Sequence, residues 1–493
     1  METISITPVL AIAVSLVATF LILFAGRTPN VREGYSIGAG VIKLLLVGSM
    51  IPTVLSGGSV RYTLVTLLPG VEIGFRVDAL SMVFATAASF LWIVTTIYSM
   101  GYMRTLQEHA QTRFFACFAA SLSATLGLAF AGNLFTLFLF YEMLTLVTYP
   151  LVAHKETPEA YAAGRKYIVY LFGTSKIFLL AAVILTYVVA GTLEFKPGGI
   201  LPHDANAMLL TVMLILFLAG ITKAGMMPLH NWLPSAMVAP TPVSALLHAV
   251  AVVKAGVFSV VRIVLDVFGI DLLKELHIGI PVAYFAAFTI LMASVLALAQ
   301  QNLKLRLAYS TVSQLSYIIL GAVLLTPSGV TGGILQIANH AFGKITLFFC
   351  AGAIYVASHK QTIPELSGIA KKMPWTMAAF TIGALSLIGV PPMAGFVGKW
   401  YLALGAMEAN QIPLVLVLLA STILNAAYFL PIIYKAYFEP APVMDHGKDG
   451  GAHDHGEAPL ACVVPLMITA VLTVLLGLFP DYFLTLAKLV LAR

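Results

Sequence analysis

Charge is scarce in this chain: Asp, Glu, Lys and Arg together make up 10% of 493 residues, against 60% hydrophobic ones. Soluble domains carry about 25% charged residues, and no soluble core buries this much apolar surface, so a water-soluble fold is excluded. Cysteine is nearly missing. Cys117, Cys350 and Cys462 lie far apart in or beside apolar runs, which excludes a disulfide framework or a thiolate metal site and leaves packing as their role. A Lys/Arg-rich cluster is also lacking; the formal net charge of +6 is spread through polar joints, so no nucleic-acid partner is indicated. No flavin, iron–sulfur or nucleotide motif occurs, so no cofactor is expected and any redox chemistry would have to come from partner subunits. The first apolar run, Ile6 to Ala25, lacks the basic start and small-residue cleavage site of a signal peptide. It reads as a first membrane span.

What the chain has instead is apolar runs of about twenty residues, the length that crosses a bilayer as a helix, recurring from end to end. Read by their breaks, they predict an all-α polytopic membrane protein of about fourteen helices. These lie near 6–25, 36–56, 77–100, 113–131, 133–153, 160–190, 206–230, 238–262, 279–300, 305–326, 330–357, 376–406, 411–436 and 459–487. Alternate joints carry Arg27 and Arg32, Arg104 and Arg113, Lys155 with Arg165 and Lys166, Lys304 and Arg306, and Lys360 with Lys371 and Lys372. By the positive-inside rule those joints are cytoplasmic and both termini lie outside. The outside stretch Val60 to Asp78 alternates apolar and polar residues around Leu68-Pro69-Gly70, which predicts a small hairpin.

Two spans carry helix breakers in their middle: Gly225-Met226-Met227-Pro228 in the seventh, and Gly389-Val390-Pro391-Pro392 in the twelfth. Proline removes a backbone donor and clashes with the preceding turn, so both helices are expected to be discontinuous at Pro228 and at Pro391 and Pro392. The breaks lie five spans apart, and an odd offset reverses direction across the membrane. That is the pattern of two inverted five-helix repeats. The expected division is 1–112 (spans one to three with the hairpin), 113–262 (spans four to eight), 279–437 (spans nine to thirteen) and 438–493 (a His-rich cytoplasmic loop and the last span).

A charge at the bilayer centre costs at least roughly 2.5–3.5 kcal/mol on insertion scales, so ionisable residues inside spans need a reason. Glu142 is the one acidic residue well inside a predicted span. Basic and imidazole groups stand in other spans: Lys223, His248, Lys254, His340, Lys344 and Lys399. His340 and Lys344 are four apart and share a helical face. Burial favours neutral lysine and a nearby carboxylate favours the charged form, so a lysine–carboxylate contact that forms and breaks can load and release a proton; arginine cannot serve. The set therefore predicts a proton relay, with Glu142 paired to Lys223. Charges acting only as structural pins would be a costly way to hold five helices together. Lys176, in the sixth span, is a further candidate. Lys43 is expected to snorkel to the cytoplasmic interface, and Arg262 to anchor span eight at the outer one. The segment Met444 to Pro459, with His446, His453 and His455 among carboxylates, reads as a polar linker, and no metal site is expected.

Several longer stretches resemble a known family. Ala239-Pro240-Thr241-Pro242-Val243-Ser244-Ala245-Leu246-Leu247-His248-Ala249, Leu307-Ala308-Tyr309-Ser310-Thr311-Val312-Ser313-Gln314, His340-Ala341-Phe342-Gly343-Lys344 and Gly389-Val390-Pro391-Pro392-Met393-Ala394-Gly395-Phe396 are similar to signatures of the antiporter-like membrane subunits of Mrp antiporters and complex I. The resemblance runs from about Phe75 to Tyr437. It implies fourteen core helices, two inverted units with broken helices, and a central Lys/His/Glu axis. By the same resemblance Glu142 corresponds to the fifth-helix glutamate and Lys223 to its broken-helix lysine. Lys254 with His248 then forms the connecting site, Lys344 with His340 the central site of the second unit, and Lys399 the terminal site.

Within the family, Lys399 and the chain length point to the D-type subunit of Mrp cation/proton antiporters or its membrane-bound hydrogenase relatives. The function expected is proton translocation within a multisubunit complex of a bacterial or archaeal cell membrane, exchanging sodium for protons or pumping protons for a redox arm. Other integral membrane subunits and the lipid bilayer are the partners implied. A haem- or quinone-binding oxidoreductase subunit using His248 and His340 is the competing class, disfavoured because no repeated histidine pairs face each other.

Overall fold

The computed structural model describes residues 2–440 and 456–492; most of the His-rich segment 444–459 lies outside the described residues. Among the described residues, ten helices are long and apolar enough to cross a membrane. In chain order, α1 (Thr7–Phe24), α2 (Pro29–Leu55), α3 (Ala79–Thr105), α4 (Gln111–Ala129), α5 (Leu134–Val152) and α6 (Pro158–Ala190) come first. After α7 (Ala207–Gly220), the near-continuous helical stretch α8 covers residues 241–268. The second half holds α9 (Gly279–Ala299), α10 (Leu303–Val323), α11 (Pro327–Ser358), α12 (Pro374–Ile388), α13 (Ala394–Glu408), α14 (Ile412–Phe438), α15 (Leu460–Leu478) and α16 (Asp481–Leu491).

Helix starts follow local chemistry. Asp78, Asn133, Thr157, Asn206, Asn302 and Thr326 each cap a helix by accepting a backbone N–H of its first turn. The expected hairpin is present: β2 (Ser59–Leu68) pairs antiparallel with β3 (Val71–Val77) around Pro69-Gly70. A short β1 (Glu2–Ile4), not anticipated, joins β2 in parallel. The sheet closes over the α4–α5 loop, where Arg76 N donates to Phe130 O and Gly132 N to Gly74 O.

Burial sorts the helices by environment. Of α11's most apolar window, 89% is buried, and this helix packs against α3, α10, α12, α13 and α15. The corresponding window of α6 is 28% buried, and those of α1 and α14 are 33%. Apolar side chains on these outer helices face outward without partners in the chain, as lipid-facing surfaces do.

Three expectations need correction. The seventh span ends early: α7 stops at Gly220, followed by a 3-10 turn (Thr222–Ala224) and Gly225 at φ +70°. Span eight continues past 262 to Phe268. The last span is two helices, because Pro480 interrupts the backbone ladder between α15 and α16. The twelfth is broken where its prolines predict, with Gly389 at φ +91° between α12 and α13.

Two lysine and arginine readings fail. Lys43 does not snorkel: it is fully buried, donates to Leu122 O at 3.0 Å and lies 4.7 Å from the Trp92 ring centroid. Arg262 is not an interface anchor but a buried cross-link, paired with Asp78 and Asp266 and donating to Ser81. Glu142 is also not alone as a helical carboxylate. Glu33, buried in the first turns of α2, pairs with Arg32 and Arg104, because α2 begins at Pro29 rather than near 36.

Candidate functional site

Glu142 sits in the middle of α5 and is 6% exposed. Its Oε2 lies 3.3 Å from Lys176 Nζ, and neither carboxylate oxygen has a hydrogen-bond partner in the protein. Lys176 belongs to a π-helical turn (Ser175–Leu179) within α6, and its ammonium stands over the Phe138 and Phe172 rings at 4.8 and 4.9 Å. The ion pair expected between Glu142 and Lys223 is therefore made with Lys176. Lys223, on the 3-10 turn after α7, instead donates to Tyr141 O at 2.7 Å and Thr145 Oγ1 at 2.6 Å. Its ammonium lies 3.2 Å from the Tyr141 ring centroid. Both lysines thus converge on one stretch of α5, Lys176 on the carboxylate and Lys223 on the backbone beside it. Gly256 of α8 makes room for this turn: a Cβ there would lie 2.2 Å from Ala224 N and 2.3 Å from Lys223 C.

Further along, His248 occupies a second π-helical turn (Leu246–Val250) of α8. Its Nδ1 is 3.1 Å from Thr311 Oγ1, and its Nε2 has no partner. π turns inside α-helices widen the backbone and re-aim side chains, and they recur at functional sites. Lys344 of α11 donates to Ser310 Oγ and to Leu307 O. Hence His248 and Lys344 are tied to successive residues of α10. Between them, Lys254 Nζ and His340 Nδ1 are 2.7 Å apart, both buried. This contact joins α8 to α11, two basic groups hydrogen-bonded directly. With Lys254 charged and donating, His340 carries its proton on Nε2, and that atom has no partner.

The far end is organised by the second break. Interrupting a helix frees the carbonyls of its last turn. Leu387 O accepts from Lys399 Nζ at 2.9 Å, from Gln314 Nε2 at 3.3 Å and from Asn425 Nδ2 at 3.3 Å, while Ile388 O accepts from Lys399 at 2.8 Å. Gln336, one turn before His340 on α11, donates to Gln314 Oε1 at 2.7 Å. A hydrogen-bonded run therefore leads from Gln336, one turn from His340 on α11, through Gln314 and the Leu387 carbonyl to Lys399.

Sequence reasoning placed the charged members but passed over Tyr141, Thr145, Gln314, Gln336 and Asn425. Asn425 is a lone amide inside an apolar run and Gln336 stands one turn before His340, and the test applied to charges would have found them.

The whole arrangement can be set beside known proteins. Residues 131–425 match the family described as NADH:quinone oxidoreductase/Mrp antiporter, TM, and residues 69–115 match NADH-Ubiquinone oxidoreductase (complex I), chain 5 N-terminus. The chain is 32% identical over 443 residues to NADH-quinone oxidoreductase subunit N of Desulforudis audaxviator (strain MP104C), covering 88% of this chain and 87% of that one. It is 31% identical over 482 residues to a probable K(+)/H(+) antiporter protein of Rhizobium meliloti (strain 1021), covering 92% of this chain and 47% of that one. A chain in the structure of the Mrp complex from Dietzia sp. DQ12-45-1b has TM-score 0.84 and 26% identity, over 98% of this chain and 97% of that one. This chain spans about half the length of several of its curated relatives.

Proposed function

Because this chain belongs to the NADH:quinone oxidoreductase/Mrp antiporter family of membrane subunits, we propose that it passes protons along the buried axis while its complex exchanges sodium or another small cation. It is a multi-pass membrane protein of a multisubunit membrane complex. Counting each broken helix as one pass gives fourteen passes. In this reading residues 113–262 and 279–437 form the two inverted units, between 1–112 and 438–493, and both termini lie outside.

The observation that carries the reading is the 2.7 Å contact between Lys254 and His340, which brings a proton donor and a proton acceptor from the two halves together inside the membrane. A lysine ammonium can release its proton to an imidazole; the imidazole takes it on one nitrogen and gives it up from the other. Glu142 with Lys176 and Lys223 forms one end of the path, and Lys399 under the Leu387 carbonyl the other. Coupled groups of this kind titrate as a set, so a proton arriving at one end shifts the preference of the next.

The test is proton uptake by the whole complex in sealed vesicles with His340→Ala. Loss of roughly tenfold or more, the effect of about 1.4 kcal/mol added to a barrier, with the complex still assembled, supports the relay; wild-type uptake refutes it. A second reading, a proton-pumping subunit of a redox-driven complex, rests on the 88% of this chain aligned with a quinone oxidoreductase subunit. Uptake that requires an electron donor would favour that reading over cation exchange.

A further inference from the structure

Outside the buried axis, two loops meet on the membrane face that carries Arg104, Arg113 and Lys155. The joint between α3 and α4 presents Glu108 and His109; the turn after α5 presents His154. One ligand atom from each of these residues lies within 4.8 Å of the other two. The His109 and His154 rings are stacked with centroids 4.8 Å apart. His154 is completely buried, yet neither of its ring nitrogens has a hydrogen-bond partner. Orphaned buried donors and acceptors are rare in native proteins and call for a cause, and here one ring nitrogen lies within 4.8 Å of a His109 nitrogen and a Glu108 carboxylate oxygen.

We propose that Glu108, His109 and His154 form a binding site for a divalent transition-metal ion of the zinc class. Two imidazoles and one carboxylate are a three-ligand set that zinc takes with a water in the fourth position. The softness of the donors excludes calcium and magnesium, which prefer oxygen ligands. Zinc–ligand bonds of about 2.0–2.2 Å require donors roughly 3.3–3.6 Å apart in a tetrahedron, so the set must close by an ångström or so. His109 is exposed and on a loop, and can swing in. Arg113 is the nearby opposing charge. Its guanidinium is already engaged by the Glu156 carboxylate and the His154 carbonyl, and its hydrogen bond and charge hold the Glu156 carboxyl below its ordinary range. A bound ion would clip the α3–α4 joint to the end of the helix that bears Glu142, twelve residues away. The two histidines stand forty-five residues apart in the chain, which is why no sequence spacing announced them.

The experiment uses the untagged full chain, purified in detergent and stripped with chelator. Zinc content after reloading, and zinc affinity by competition with a fluorescent indicator, are measured for wild type, Glu108→Gln and His109→Ala. A fourth form carries His446, His453 and His455 all replaced by alanine. The site predicts that His109→Ala holds one zinc fewer than wild type, that Glu108→Gln binds it more weakly, and that the fourth form keeps it. Because His109 is exposed, the metal-free thermal transition of His109→Ala should match wild type. Equal zinc content in wild type and His109→Ala would overturn the site, as would complete loss of zinc in the fourth form.

Discussion

Lys176 shows how much a single residue's position matters. From sequence it stood as a lesser candidate near the middle of a long span, and the structure makes it the ion partner of Glu142. Its side chain is 41% exposed in the isolated chain, so the ion pair is not sealed in. Arginine retains charge and reach but cannot release a proton. If Lys176 serves only as the positive partner of Glu142, Lys176→Arg keeps most proton uptake in vesicles and Lys176→Ala loses several-fold. Equal loss in both would make Lys176 a proton carrier in its own right. The charged members of the axis were legible because charge inside an apolar run is conspicuous. Their partners were not: Lys176 meets Glu142, Lys223 meets Tyr141 and Lys254 meets His340, all across stretches of chain that one sequence cannot fold together.

At the scale of elements, both interruptions were readable from mid-span prolines, which take a donor out of the helical ladder and clash with the turn before, although α7 already stops at Gly220, ahead of Pro228. The π-helical turns that carry Lys176 and His248 have no such signature, and they set where those side chains point. Close glycine contacts seat each broken segment. Gly256 lets α8 touch the Lys223 turn, and a Cβ at Gly395 would come within 1.9 Å of Ser386 O. Gly256→Ala therefore pushes on backbone, not on a flexible side chain. Overpacking of this kind costs about 1–3 kcal/mol. The expected result is a lower thermal transition together with reduced proton uptake, because the displaced turn carries Lys223. An unchanged transition and unchanged uptake would mean the turn yields freely.

Across the whole molecule, the N-terminal helices and hairpin are fastened to α8 by Arg262, which bridges Asp78 at the base of the hairpin and Asp266 on its own helix. Removing one partner from a buried ion network costs about 3–5 kcal/mol. Arg262→Ala should lower the thermal transition of the purified chain markedly, and Arg262→Lys should recover only part of it, since one ammonium cannot make the paired contacts of a guanidinium. A transition unaltered in Arg262→Ala would show that the backbone hydrogen bonds to the α4–α5 loop and packing hold the hairpin without this cross-link. These supports position the buried axis, and its role in translocation is measured most directly by proton uptake of the assembled complex in sealed vesicles, comparing wild type with Glu142→Gln, Lys223→Ala and Lys399→Ala at equal assembly. Loss of uptake in all three with the complex intact is the predicted result, and normal uptake in all three would reduce the buried charges to structural pins.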